Sequence, residues 1–436
     1  MKMLVQRTVK IPIHYATTKN KLHVLDKLTA RLTYAVKLWS EVIERHGIRT
    51  RRELQRLEYQ HFVRAQTGLS AGFVQQCGNQ ALWMWESYRE LHSKWQKAVE
   101  KARARGNESW LRKLLERKPS KPFHGKGSNR KIPTRFDYRT GEVECSERAK
   151  LSPLLIRIST LKKHERLTIF LNPSSYHLEL LKRGKIRDFQ FVKHGKKYHA
   201  HIVVQYEVEE QPIQAVRGVD LGIRRSAATV LLRPNEPLRR GDFSVIEDGL
   251  KRQWLNQLNE RVAELQQAKK WKALRRMCGK RRRVAEYCDR LTAKRVAEIS
   301  DGCVVAIGYP KGIKYENYRG NGKRKLRRLM TRWAYGRIIR YVREECAEKG
   351  IKVAESNERW SSITCHQCGS RNTERLTQSV VHCYNCGLVY NADFNAAINI
   401  GSSILAEPRS RGVQLNHPEL RMNWPERSGS AEAIGL

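Results

Sequence analysis

Four cysteines late in the chain stand in two Cys-x-x-Cys knuckles, Cys365-His-Gln-Cys368 and Cys383-Tyr-Asn-Cys386, separated by fourteen residues. Each knuckle places two thiolates on one tight turn, and Zn²⁺ takes four of them at about 2.3 Å in a tetrahedron. Gly369 and Gly387 each follow the second Cys of a knuckle, where the turn calls for positive φ. Four protein ligands leave no open position for water, so the pattern predicts a structural zinc. A pair of redox dithiols or disulfides is the competing chemistry, and nothing else in the sequence points to an oxidising compartment. The other cysteines (Cys77, Cys145, Cys278, Cys288, Cys303 and Cys346) are scattered without pairing spacing.

Carboxylates supply a second chemistry. Asp220 lies in the middle of Val216-Arg-Gly-Val-Asp-Leu-Gly-Ile223, which reads as a buried strand. A buried acid without a partner is costly, and a cation is one partner that relieves it. A salt bridge, or a strand-end aspartate in an Asp-x-Gly turn, is the other. Asp393 stands just after the ribbon, in Asn391-Ala-Asp-Phe-Asn-Ala-Ala-Ile-Asn399.

The elements that must hold these residues follow from charge and periodicity. In 436 residues, Lys and Arg outnumber Asp and Glu by 85 to 43, giving a formal charge of +42. Such a charge repels itself unless a polyanion neutralises it, and a long nucleic acid is the ordinary polyanion. No apolar run reaches the roughly 18 residues a membrane span needs, and the first residues carry no signal-peptide core. The expectation is a cytoplasmic, nucleoid-associated protein with no membrane partner.

Residues 4–13 alternate like a strand, and 22–45 turn helical. Thr50 reads as the N-cap of a helix over 51–65, and a long helix follows over 71–104 with the stripe Trp85, Tyr88, His92, Trp95, Val99, read as helical core rather than a stacking surface. Residues 118–135 are a Pro/Gly/Lys-rich loop, after which strand patterning over 132–210 predicts an antiparallel, barrel-like β domain. Beyond residue 213 come three strands, the last over 243–247, a basic helical hairpin over 249–300, a strand over 304–308 and a Gly/Lys/Arg-rich loop over 315–328. A helix over 333–349, a strand over 351–355, the ribbon and a helix over 395–405 complete the order. That order fits an RNase H-like fold, in which carboxylates from several elements meet at one sheet edge, hold two Mg²⁺ and cut phosphodiesters.

The motifs Gly218-Val-Asp-Leu-Gly222, Ser361-Ser-Ile-Thr-Cys-His-Gln-Cys-Gly369, Cys383-Tyr-Asn-Cys-Gly387 and Ala392-Asp-Phe-Asn-Ala-Ala-Ile-Asn399 occur in an order and spacing similar to those of the TnpB family. These are transposon-encoded, RNA-guided DNA endonucleases related to compact type V CRISPR effectors. The detailed resemblance covers residues 213–405, and the N-terminal half matches in architecture only.

The resemblance implies an α+β multidomain chain. A β-barrel wedge domain (1–20 and 119–212) would carry an inserted helical recognition bundle (21–118). An RNase H-like, RuvC-like nuclease domain (213–357 and 391–405) would carry an inserted zinc ribbon (358–390), and 406–436 would be a disordered tail. It implies guide RNA and target double-stranded DNA as partners, one protein monomer per RNA, Mg²⁺ for cleavage and zinc in the ribbon. Asp220 matches the family's first catalytic aspartate and Asp393 its last.

The second acid is a departure. The family usually has Glu where this sequence has Gly308. A nuclease-dead relative acting as a guided repressor would look like this. Glu358 is the candidate replacement, similar to the relocated glutamate of some bacterial members and of the eukaryotic Fanzors. In the RNase H order the last strand runs parallel beside the one ending at Gly308, about 4.8 Å away. Glu358 then follows the same carboxyl edge. A surface charge at Glu358 and a simple turn at Gly308 are the plainer readings.

A closed zinc site contributes folding energy. Cys383→Ser is therefore expected to lose zinc and to melt at lower temperature, read by metal analysis and thermal unfolding. Unchanged zinc content and melting would refute the site.

Overall fold

The computed structural model describes residues 2–406, apart from 125–130, 147–149, 163, 196, 224, 235, 248 and 311–332. The loop expected over 315–328 and the tail from 407 lie outside the described residues, as does the middle of the loop over 118–135. The chain divides into two compact units, Gln6–Tyr206 and Met1–Val5 with Glu207–Leu436. Among the described residues, no helix is long and apolar enough to cross a membrane.

The first unit opens with β1 (Lys2–Pro12) and a helical insertion: α1 (Lys19–His46), α2 (Arg51–Leu54), α3 (Leu57–Thr67), α4 (Ala71–Ala104) and α5 (Glu108–Glu116). α1 and α4 are bolted together by indoles: Trp39 Nε1 donates to the Val74 carbonyl and Trp85 Nε1 to Ser40 Oγ, both at 2.9 Å. The helix expected over 51–65 is broken at Gln55 and Arg56. Thr50 does cap it, accepting from Glu53 N, while Glu53 Oε2 accepts from Arg49 N. The Gln55 N–H then closes the first turn on the Arg51 and Arg52 carbonyls. In the aromatic stripe Trp85 and Val99 are buried, whereas Tyr88, His92 and Trp95 are half-exposed and form a ladder of rings 5.2–5.5 Å apart.

The β region of this unit is β2 (Thr134–Phe136), β3 (Gly141–Cys145), β4 (Leu154–Ser159), β5 (Arg166–Phe170), α6 (Ser175–Lys182), β6 (Lys185–His194) and β7 (Lys197–Glu209). It is not the expected closed barrel. The strands form one sheet in the order β1-β7-β6-β2 and another in the order β3-β4-β5, with a bridge between Ile13 and Leu171. Closure would require β1 to pair with β2. β2 is three residues long and follows Pro133, which has no N–H to donate.

The second unit begins with β8 (Ala215–Asp220), β9 (Arg225–Leu232) and β10 (Phe243–Glu247), then α7 (Gly249–Gln267), α8 (Trp271–Arg276) and α9 (Lys280–Glu298). β11 (Cys303–Tyr309), α10 (Tyr335–Glu348) and β12 (Val353–Asn357) follow, then the ribbon strands β13 (Thr373–Arg375), β14 (Val380–Cys383) and β15 (Val389–Asn391), and α11 (Ala392–Ala406). The main sheet has the order β10-β9-β8-β11-β12. β8, β11 and β12 are parallel, and β9 is antiparallel to both of its neighbours. This is the RNase H-like order expected from the element sequence.

Both faces of the sheet are covered, so β11 alternates between two cores. Val305 and Ile307 join Ala293, Val296, Ile338 and Val342 of α9 and α10. Val304 and Ala306 join Ala397, Ile400 and Ile404 of α11. Asp289 of α9, itself buried, accepts from Lys251 Nζ of α7 and Arg337 Nε of α10 at 2.7 Å each, which ties the three helices together.

α11 approaches β8 more closely than side chains allow. A Cβ on Gly218 would stand 2.1 Å from the Ala397 carbonyl oxygen, and one on Gly401 would stand 2.6 Å from Leu232 Cδ1. Backbone cannot give way as a flexible side chain does, so Gly218→Ala must displace the helix. Overpacking of this kind costs about 1–3 kcal/mol. Gly218→Ala is expected to lower the unfolding midpoint accordingly in urea or thermal melts.

Candidate metal-carboxylate site and zinc ribbon

The ribbon cysteines meet as their spacing implies. Cys365 Sγ lies 3.7 Å from Cys386 Sγ and Cys368 Sγ lies 3.6 Å from Cys383 Sγ, and the four sulfurs are all within 4.8 Å of one another. A tetrahedron with zinc–sulfur bonds of about 2.3 Å has edges of about 3.8 Å, whereas a disulfide needs about 2.05 Å. The donor set fits zinc. Gly369 and Gly387 take φ of 72° and 71° at the ends of the knuckles.

α11 couples the ribbon to the sheet. Its first turn is capped by Asn391, whose Oδ1 accepts from Asp393 N at 3.0 Å and Phe394 N at 3.2 Å. Asn395 is fully buried and fully used: Nδ2 donates to the Ser361 and Thr364 carbonyls, and Oδ1 accepts from His366 N inside the first knuckle. Asn399, one turn on, donates to the same two carbonyls at 2.8 and 2.7 Å. The loop so clamped begins with Glu358 and contains Trp360, held at φ 71°, an outlier for a bulky residue.

Asp220 and Asp393 line one cavity of about 270 Å³, with Gly222, Arg225, and Arg375, Gln378 and Ser379 of the ribbon. Arg225 Nη1 donates to Asp393 Oδ2 at 3.1 Å. Register sets Ile307 beside Val219 and Ser356 beside Gly308, so Asp220, Gly308 and Ser356 follow one another across the carboxyl ends of β8, β11 and β12. Glu358 comes two residues later. A Cβ on Gly308 would lie 3.0 Å from Glu358 Oε2 and 3.3 Å from Glu358 Cβ. The glutamate thus packs directly against the bare glycine.

Burial, then the charge of Asp393, pushes Asp220 up to about 7, with Arg375 opposing. Burial, then the charge of Asp220, pushes Glu358 up to about 8. Glu358 Oε2 is enclosed and has no hydrogen-bond partner. The carboxylates are not gathered as tightly as the thiols. Among the described residues, only the four cysteines bring metal-type donor atoms within 4.8 Å of one another. Oxygen donors are the chemistry a hard divalent cation such as Mg²⁺ takes, but Asp220, Glu358 and Asp393 stand too far apart here to ligate one ion together without moving closer.

Reading motifs singled out Asp220, Glu358 and Asp393 but gave no part to Arg225, Arg375, Asn395 or Asn399. The asparagine pair had a readable signal, since two amides four residues apart share one helix face. The arginines had none, because in a chain this basic nothing local sets them apart.

The second unit is therefore an RNase H-like α/β layer carrying a four-cysteine ribbon. Residues 335–400 match the Cas12f1-like TNB domain family. The chain is 26% identical over 226 residues to the CRISPR-associated endodeoxyribonuclease Cas12f2 of a Micrarchaeota archaeon, covering 48% of this chain and 41% of that protein. It is 24% identical over 285 residues to the TnpB-like protein aq_aa05 of Aquifex aeolicus, covering 59% and 91%. Among solved structures, the mini-RNA-guided endonuclease CRISPR-Cas_phi3 aligns over 91% of this chain and 92% of its own, with a TM-score of 0.53 and 13% identity, a likeness of fold. The chain is thus similar to a TnpB-like protein and to Cas12f2, and the match spans less than half the length of Cas12f2.

Because both raised carboxyls favour their protonated forms in the fold, their contribution is full below the ordinary carboxylate range near 4 and is lost as pH rises through about 7 and about 8. In chelator, Asp220→Asn is expected to gain stability relative to wild type as pH rises from about 5 to about 8. Added Mg²⁺ is expected to remove that difference, read from paired urea melts.

Proposed function

We propose that this chain is an RNA-guided DNA endonuclease with a RuvC-like site built from Asp220, Glu358 and Asp393. The observation that carries the reading is Glu358 Oε2, enclosed and unpartnered, on a carboxyl that feels the charge of Asp220. A buried carboxyl oxygen without a partner is rarely kept for stability, and a divalent cation drawn in between Asp220, Glu358 and Asp393 would satisfy it. The TnpB-like and Cas12f relatives support the same activity.

In this reading Mg²⁺ held by the three carboxylates would activate water and steady the leaving oxygen of a phosphodiester. The chain's own residues do the rest. Arg225 and Arg375 line the cavity with positive charge, the partner a phosphate would need there. The Asn395 and Asn399 clamp fixes the loop that carries Glu358. Zinc at Cys365, Cys368, Cys383 and Cys386 holds the hairpin that brings Arg375, Gln378 and Ser379 to the cavity.

Guide RNA would lie on the wedge residues 1–20 and 119–212 and the helical residues 21–118, one protein per RNA. Base pairing would read the target while the protein reads a short flanking motif. The nuclease domain is assigned to 213–357 and 391–405 and the ribbon to 358–390, in a chain working in the cytoplasm on the nucleoid.

The test is plasmid cleavage by the complex co-expressed with its flanking genomic DNA, with Mg²⁺ and a matched target. Wild type is expected to cut, and Glu358→Ala is expected to lose at least about a hundredfold in rate, as expected when a metal-bound catalytic group is removed. Cutting that survives Glu358→Ala would remove this residue from the site. Specific binding without any cutting would overturn the nuclease reading.

A further inference from the structure

The turn between α7 and α9 has a composition that packing does not explain. Residues 269–283 hold nine Lys and Arg, and from 265 to 285 there is no acid. Eight of the nine are exposed, and Arg281 is half-buried. Among the described residues one of them, Arg282, has an ion-pair partner, Glu286 at 2.8 Å. In their midst Trp271 is 57% exposed. A tryptophan left in water among cations gains nothing for the fold, but its face is a stacking surface for a base, and the cations are partners for phosphates. Tyr287, 54% exposed and stacked on Trp254 with centroids 6.3 Å apart, continues the aromatic surface along the hairpin.

Lys269 sits at φ 52° where the chain leaves α7, and the Lys270 N–H closes on the Leu265 carbonyl at 2.9 Å. This left-handed helix stop turns the chain sharply into the run of charge.

Topology says where the tip lies. α9 leads through a four-residue turn into the first residue of β11, so its C-terminal end is at the sheet edge where β11 begins. At about 1.5 Å per residue, its other end is carried across the sheet toward the edge where β8 and β11 finish, the edge that holds Asp220. The Asp289–Arg337 pair, joining α9 to the first turn of α10, pins that direction, since α10 in turn ends beside the start of β12.

We infer that the α7–α9 tip is a binding site for single-stranded DNA, with Trp271 stacking on an unpaired base and Lys269, Lys270, Lys272, Arg275 and Arg276 gripping the flanking phosphates. Single-stranded DNA is the form in which a strand would reach a carboxylate site on the same edge. The inference rests on the nuclease reading for its choice of DNA.

The test uses the full-length chain in EDTA, so binding is read without cleavage. Fluorescence anisotropy follows a labelled dT20 strand, with rU20 as the parallel probe, across a salt series. Trp271→Ala is expected to weaken dT20 binding about tenfold with an unchanged salt slope, matching about 1–3 kcal/mol for one stacked base. Trp271→Phe is expected to restore most of it. Lys269→Ser/Lys270→Ser/Lys272→Ser is expected to lower the salt slope by about 2, at about 0.7 for each single-strand phosphate contact. Iodouracil in the strand is expected to crosslink to Trp271. Unchanged dT20 affinity in both variants would overturn the inference, as would a loss confined to rU20, which would assign the tip to RNA. Failure of wild type to cut DNA with Mg²⁺ would count against the nuclease reading alone.

Discussion

Everything at the candidate site depends on how closely one helix can lie against one strand. Gly218 is bare, and the Ala397 carbonyl occupies the space a side chain would need. That approach sets the depth of α11 on the sheet, and with it the position of Asp393 relative to Asp220, two residues beyond Gly218 on the same strand. Contacts between side chains can adjust by rotation, but a backbone-on-backbone contact cannot. The geometry of the two aspartates is therefore fixed by something that carries no charge and does no chemistry.

A second constraint opposes the first. Packing the helix that deeply removes water from Asp220 and Glu358, which penalises their charged forms. The fold answers with hydrogen bonds around the acids rather than to them. Asn395 and Asn399 hold the loop, Asn391 caps the helix, and the ribbon is fastened through His366. Glu358 Oε2 is left unsatisfied. The asparagine that clamps the loop is fully bonded while Glu358 Oε2 is not, which is the pattern expected of a site organised for a ligand rather than for stability.

Much of this could be read before any coordinates. The zinc knuckles were legible because ligand spacing is a local property. The sheet order was legible because buried strands, helices and their sequence order admit few topologies. Asp220 stood out as an acid in an apolar strand. The barrel was misread because alternation reveals strands but not whether the last closes on the first, and a three-residue β2 gives no warning. The break at Gln55 was hidden because a helix stop made by backbone hydrogen bonds leaves no mark in composition. Arg225 and Arg375 were hidden because their significance is entirely positional. The tip at Trp271 showed its charge in the sequence, but only exposure separated its tryptophan from the buried Trp39 and Trp85.

Gly308 and Glu358 claim the same volume. A side chain at 308, even one methyl, would press on the glutamate that now leans there. A Cβ at 308 would meet Ile400 Cδ1 at 2.8 Å and Glu358 Oε2 at 3.0 Å, so an acid reaching this corner from the strand would have to push aside the one that reaches it from the loop. A lineage moving its carboxylate from one place to the other must therefore repack this corner, and the size of residue 308 is tied to the choice of residue 358.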